Sequence, residues 1–319
     1  MSEECAGVLY LDSRTIGTDF SATNGDVLRA IATEAASLLE NAKLVQAEEE
    51  TRKVQQELNI ASSIQQRLMA VNIPELGFAT VRARSIPCKE IGGDFFDVIM
   101  TRDGLAVIVA DVCGKGISAA LLMATIHSAV RAYSVENLPQ MREPVAVGAV
   151  AGSGRVMAAW PEGVEVSPGA LLSLLNHQLY ESTPPEKYAT LFLGVYEGLS
   201  RRLTYSNGGH LPPILIGENG GIRRLEAGGT VVGLFDNVPY DEGSVVMHAG
   251  EVFVAYSDGV TEPENDFGEF GEARLIDLVR ENRHLPLDQI SQIVTSAVDT
   301  WIGDNEQPDD VTLVLARPR

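Results

Sequence analysis

The sequence predicts an α+β fold with antiparallel sheets. Short apolar strand candidates follow one another across Gly- and Asp-containing turns, one helix pair separates two groups of strands, and a second pair lies near the C-terminus. Ahead of all of these stands a stretch from Asp26 to about Met69 without a single Pro or Gly. At 319 residues the chain is long enough for one large domain and a smaller piece. A 45% hydrophobic and 21% charged composition can build an ordinary core. With 24 basic against 44 acidic side chains the formal charge is -20, which repels phosphate backbones and argues against nucleic acid as a ligand. The longest apolar runs, Ile117–Ile126 and Leu105–Ala110, are well short of a membrane span, and the acidic start lacks the basic region of a signal peptide. The expectation is a cytoplasmic protein without a membrane partner. Cys5, Cys88 and Cys113 form no CxxC pair, so free thiols are expected, with Cys113 packed as a small hydrophobe.

Taken in order, residues 7–11 read as a strand. From Asp26, apolar residues at Leu28, Ile31, Ala35, Leu38, Ala42 and Val45 alternate steps of three and four, the seam of a coiled-coil-like helix. The polar run Gln46–Arg52 interrupts it. It resumes at Val54, Leu58 and Ala61 and reaches Leu68, with Gln65 at an intervening seam position. A helix of this length extends ~60 Å, more than a compact domain needs, so it reads as a connector or a dimer seam. Pro74 ends it. Strands are expected at Thr80–Arg84, Phe95–Thr101, Leu105–Asp111, Leu191–Tyr196, Arg202–Ser206, Pro213–Ile216, Val245–Met247 and Val252–Tyr256. Helices are expected at Ser118–Val135, Pro168–Ser182, Gly271–Asn282 and Leu287–Ile302. Residues 139–168, rich in Gly, Ala and Pro, read as an extended insertion.

Candidate chemistry lies in four separated acidic motifs: Gly92-Gly93-Asp94-Phe95-Phe96-Asp97, Asp111-Val112-Cys113-Gly114-Lys115-Gly116, Ser257-Asp258-Gly259 and Asp309-Asp310-Val311-Thr312. Each carboxylate stands at the edge of an apolar strand. One Asp-Gly after a strand is usually a plain hairpin turn. Four such motifs in one domain bring carboxylates together that repel unless a cation is bound. Oxygen donors without His or Cys suit Mg²⁺ or Mn²⁺ rather than zinc.

The order IQQRLM, IGGDFFD, VADVCGKG, KYATLF, LTYSNGGHLPP, AYSDGVTE and DDVTLV, from about Gln65 to Arg317, resembles the metal-dependent (PPM) serine/threonine protein phosphatases of the bacterial SpoIIE/RsbU-like group. The resemblance implies an antiparallel β-sandwich flanked by helices, over residues 71–319, with two Mn²⁺ or Mg²⁺ ions in a cleft at one end of the sheets. It implies Asp94 as the carboxylate bridging the ions, Asp111 and the Val112 carbonyl as further ligands, and Asp258 and Asp309 as the remaining metal aspartates. Asp97 and Asp310 are weaker candidates that bind through water or orient a ligand. The residues alone leave open which of Asp309 and Asp310 faces inward; the resemblance favours Asp309. A metal-activated water would then attack a phosphoserine or phosphothreonine. Lys115 is a candidate phosphate contact, although a solvated loop lysine is the simpler reading. Arg82 and Arg84 give no convincing counterpart of the arginine that holds phosphate in related enzymes. His210 reads as a turn-capping residue before a catalytic one, and His127 as a packed or surface helix residue.

Residues 1–45 resemble the closing strand and last helix of a GAF sensor domain, overlapping a signalling helix over 26–70. This organisation implies a homodimer through the helix, and family analogy points to a phosphorylated anti-sigma-factor antagonist as substrate. Two other readings stand beside it: a phosphoprotein-binding domain without turnover, and a nucleotide cyclase suggested by the likeness of GGDFF to GGDEF, in which Phe95 replaces a needed carboxylate.

Overall fold

The structure, a computed structural model, describes Val8, residues 25–69, 73, 76–101, 103–134 and 167–319. The expected strand over 7–11, apart from Val8, and nearly all of the 139–168 segment lie outside the described residues. Residues Met1–Ala61 and Ser62–Arg319 form two compact units. The division falls inside the long helix, so its last turns belong to the larger unit.

That helix is α1 (Gly25–Leu68). The strands β1 (Ala79–Ile86), β2 (Phe95–Met100) and β3 (Gly104–Val112) follow, then the helices α2 (Ile117–Ser134) and α3 (Pro168–Ser182). A second run of strands comprises β4 (Ala189–Glu197), β5 (Arg202–Gly208), β6 (Ile214–Ile216), β7 (Ile222–Arg224), β8 (Gly228–Gly229), β9 (Gly243–Val246) and β10 (Val252–Tyr256). After the one-turn α4 (Asp258–Thr261) and the tiny hairpin β11 (Glu264–Asn265) and β12 (Gly268–Glu269) come α5 (Gly271–Asn282), α6 (Leu287–Ile302) and β13 (Val311–Pro318).

Two sheets result. One has the order β1-β13-β10-β6-β7; the other runs β2-β3-β4-β5-β8, with β9 also on β5. All pairings are antiparallel except β5 with β8. Side chains alternate across each strand, and here both faces are covered. Val107 and Val109 of β3 enter the core between the sheets with Phe192, Phe253 and Val314. Ile108 and Ala110 face the other way, onto Met123 and Ile126 of α2 and Leu172 of α3. Val254 and Leu315 of the first sheet pack outward on Val279 of α5 and Val294 of α6. The expected helix-flanked antiparallel sandwich is therefore the observed one, and burial on both faces explains why Leu105–Ala110 reads as an unbroken apolar run.

Local signals set the helix ends. Ser167 accepts the Ala170 amide at 3.1 Å and Pro168 occupies the first turn, a favoured start for α3. In α1 the seam residues Ile31, Leu38, Val45 and Val54 are more than half exposed. No helix among the described residues is long and apolar enough to cross a membrane.

Candidate metal centre

The four acidic motifs come from both sheets. Asp94 precedes β2 and Asp111 is the next-to-last residue of β3, and the register Phe95↔Ala110 brings them side by side. Asp258 follows β10 and Asp309 precedes β13; these strands pair Tyr256 with Leu313, and the Ser257 amide donates to the Thr312 carbonyl at 3.0 Å. The antiparallel ladders thus deliver two carboxylates from each sheet to one end of the sandwich.

Their mutual influence is visible in their proton affinities. Burial, then the neighbouring Asp111, holds Asp94 well above the usual carboxylate range, against hydrogen bonding from Ser257 and Thr312. Burial, then Asp258 and Asp309, pushes Asp111 up to about 7. Asp258 is raised by burial and by Asp309. One oxygen of Asp94, Oδ2, is buried without a hydrogen-bond partner, although Asp94 is only 3% exposed. An unpartnered carboxylate oxygen beside further carboxylates fits a divalent cation with hard oxygen ligands. The Val112 carbonyl faces the same loop: a Cβ on Gly93 would stand 3.0 Å from it, a tight contact that would push the carbonyl back by a few tenths of an ångström.

Asp309 and Asp310 do different things. Asp309 faces the cluster and pairs with Lys115 at 2.9 Å. Asp310 turns back to organise the loop, its Oδ2 accepting the Gly93 and Asp94 amides at 2.7 and 3.2 Å and its Oδ1 the Cys88 amide at 2.8 Å. The Cys88 sulfur and one oxygen each of Asp309 and Asp310 lie within 4.8 Å of one another, close enough to share an ion. Burial, then Asp310, pushes that thiol up to about 11, so it is a poor soft ligand as it stands. At the other end of the loop, buried Gln65 of α1 clasps Gly92: its Nε2 donates to the Gly92 carbonyl at 2.7 Å and its Oε1 accepts the Gly92 amide at 3.1 Å.

The remaining predicted residues lie apart. Asp97 is fully buried on the opposite face of β2 from the sandwich core, taking two 2.7 Å bonds from Arg131 of α2, with His127 Nε2 at 3.4 Å. His127 and Arg131 are the groups that hold its carboxyl below the ordinary range despite burial. Its partners are thus helical rather than any of the clustered aspartates. Lys115, read as a phosphate contact, is engaged by Asp309 and the Pro308 carbonyl. Arg82 and Arg84 bond Asp288 and Thr295 of α6. Phe95, where a cyclase needs a carboxylate, is fully buried. Cys113 is half-buried, and its sulfur accepts the Tyr188 amide. Gln65, Arg131, Ser257 and Thr312 were not among the predicted site residues. Gln65 alone left a signal, a polar residue in an otherwise apolar seam.

Carboxylates contributed in pairs by the ends of two antiparallel sheets, in a sandwich flanked by helices, define the class: a PPM-type phosphatase domain. The chain belongs to the Stage II sporulation protein E (SpoIIE) family, which matches residues 101–319. It is 28% identical over 266 residues to Protein IcfG of Synechocystis sp., covering 81% of this chain and 41% of that protein. Phosphoserine phosphatase RsbU of Bacillus subtilis is 25% identical over 269 residues, covering 83% of this chain and 71% of RsbU. The SiaA-PP2C domain of Pseudomonas aeruginosa shares the fold with a TM-score of 0.65 at 18% identity, over 84% of this chain and 98% of that one. The chain thus spans less than half of IcfG and most of RsbU.

Proposed function

We propose that this chain is a metal-dependent protein serine/threonine phosphatase. The observation that carries the reading is the aspartate cluster, whose members raise one another's proton affinity around the unpartnered Asp94 oxygen. Asp94, Asp111, the Val112 carbonyl, Asp258 and Asp309 would hold two Mn²⁺ or Mg²⁺ ions. Bound there, such ions supply a water of lowered pKa and neutralise charge on a phosphoryl oxygen. The chain's own residues hold the carboxylates in place: Asp310 fixes the Gly93–Asp94 backbone, and Ser257 joins the two strands that carry Asp258 and Asp309. Lys115 neutralises part of the cluster through Asp309.

The substrate class is a phosphoserine or phosphothreonine in a regulatory phosphoprotein, and an anti-sigma-factor antagonist is the specific form we propose. The name phosphoserine phosphatase borne by RsbU supports the chemistry. The exposed apolar seam of α1 supports a homodimer formed through that helix. The clasp of Gln65 on Gly92 supports a route by which the helix biases the first metal motif.

Purified protein with Mn²⁺ should hydrolyse p-nitrophenyl phosphate and a phosphoserine peptide, and Asp94→Asn or Asp258→Asn should abolish turnover while the fold survives. Wild-type protein that binds Mn²⁺ yet hydrolyses neither, in dimeric as in monomeric form, sinks the enzymatic reading in favour of phosphoprotein binding.

A further inference from the structure

The segment Asn207-Gly208-Gly209-His210-Leu211 is where the chain leaves β5 of one sheet for β6 of the other. Asn207 fixes the crossover: its Oδ1 accepts the His210 amide at 2.7 Å and its Nδ2 donates to the His210 carbonyl at 2.9 Å. That leaves the imidazole, 5% exposed, inside the sandwich. Its Nδ1 is 2.9 Å from the hydroxyl of Thr190 on β4, and Thr190 is the register partner of Asp111. On the other side lies the backbone of Tyr256, the end of β10 and two residues before Asp258, which acts on the ring as a hydrogen-bond acceptor and favours its proton. Nε2 is buried and makes no hydrogen bond of good geometry.

We propose that His210 is a positioning residue that ties the two sheets together at their metal-binding end, holding Asp111 on one sheet at a fixed separation from Asp258 on the other. It rests on the reading of the aspartates as a metal centre. The tie uses a neutral ring with its proton on Nε2: Nδ1 then accepts from Thr190, whose hydroxyl also has the Asp111 carbonyl at 3.5 Å, and Nε2–H points to the Tyr256 carbonyl. Burial supplies that state, holding the ring's pKa down to about 4. The imperfect Nε2 contact is the part of the tie that closes when a cation draws the two pairs of aspartates together. Asp310 ties the sheet ends at the Gly93–Asp94 backbone and Lys115 ties them through Asp309, so His210 acts beside these two, on Asp111 and Asp258.

The test is nitrogen NMR of the histidine rings in the full chain, titrated with Mg²⁺, with His210 assigned from the His210→Gln spectrum. The expected result is a neutral Nε2–H tautomer at pH 7, in slow exchange with water, whose Nε2 signal moves as Mg²⁺ saturates. A charged ring, an Nδ1–H tautomer, or a signal unmoved by saturating Mg²⁺ overturns the proposal. Metal affinity by calorimetry gives the second arm. Thr190→Val and His210→Ala should each weaken Mg²⁺ binding about tenfold, the range for residues that orient ligands, with the double variant no weaker than the worse single one. His210→Gln, which can accept and donate in the same places, should recover part of the loss. Folded Thr190→Val with wild-type affinity also overturns the tie, and that variant changes only a hydroxyl to a methyl, so it stands in if His210→Ala fails to fold. Wild-type protein that binds no cation would instead refute the metal centre, and the tautomer measurement still decides on the ring.

Discussion

Gln65 and Gly92 exchange two hydrogen bonds across 27 positions of sequence, so that a helix side chain satisfies both backbone groups of the residue that opens the first acidic motif. Removing the amide leaves the Gly92 N–H and C=O buried without partners, at about 1–3 kcal/mol for each group. Gln65→Leu suits the apolar seam and should leave α1 intact, yet free the Gly92–Asp94 loop. Mn²⁺ affinity measured by calorimetry should fall about tenfold. A folded Gln65→Leu protein with unchanged affinity would show that the helix end does not govern the loop.

Acid should stabilise the metal-free protein, contrary to the usual effect of carboxylates. Asp111 titrates at about 7 in the fold against an ordinary 3.8, and Asp94 and Asp258 are raised too. Over that window the folded chain binds more protons than the unfolded one, so stability is fully present near pH 4 and is lost as pH rises to about 7. His210, lowered to about 4, runs in the opposite direction between its folded value and 6.5. Asp97, itself lowered, acts only below 3.8. Asp111 goes on losing stability up to about 7, beyond the 6.5 at which His210 stops gaining it, and the raised Asp94 acts in the same direction, so a net decline is left. Thermal melts without metal should therefore show a lower Tm at pH 7.5 than at pH 5.5, and saturating Mg²⁺ should raise Tm more at the higher pH. Asp111→Asn should flatten the metal-free slope.

Asp97 separates a packing role from a metal role. Its carboxylate is buried against Arg131 and His127, so Asp97→Ala abandons a cation and a ring at the α2–β2 contact. The expected loss of stability is about 2–3 kcal/mol, at the low side of a broken buried pair because Arg131 is half-exposed. Metal affinity of the molecules that remain folded should stay at the wild-type value. A large drop in Mg²⁺ affinity at unchanged stability would restore Asp97 to the orienting role the sequence suggested.

How much of this was legible beforehand depended on period and on partner. Strands such as Val252–Tyr256 announced themselves by apolar runs between turn residues, and α5 and α6 by their ends at Gly271 and Leu287. The terminal strand Val311–Pro318 carries a weaker signal than β3, because Thr312, Arg317 and Pro318 break its apolar run and its place is fixed by its pairing with β1 and β10. The convergence of the four aspartates is legible because Gly and strand ends leave a local signature. Direction is not: Asp97 stands three residues after Asp94, and whether it faces the cluster or α2 is fixed by Arg131, 34 positions away. The same holds for Lys115, whose choice of Asp309 over solvent depends on how β13 begins.

Gly259 is required by space and not by backbone conformation, and this makes it a sharp probe of the cluster. It is absent from the positions with positive φ, so alanine suits its own backbone. A Cβ there would nevertheless stand 2.0 Å from the Asp310 carbonyl oxygen and 3.2 Å from the Asp309 carbonyl carbon. That carbonyl cannot retreat cheaply, because it accepts the Ser257 hydroxyl at 3.1 Å while the Asp310 side chain holds the Cys88, Gly93 and Asp94 amides. Gly259→Ala must push the start of β13 away from α4, and with it Asp309 away from Asp258. The expected outcome is a destabilisation of about 1–3 kcal/mol together with at least a tenfold loss of Mn²⁺ affinity. Calorimetry and thermal melts of the same preparation separate the two effects: lower stability with intact affinity would mean that the strand yields without moving Asp309, and that the distance between these two aspartates is not what the glycine protects.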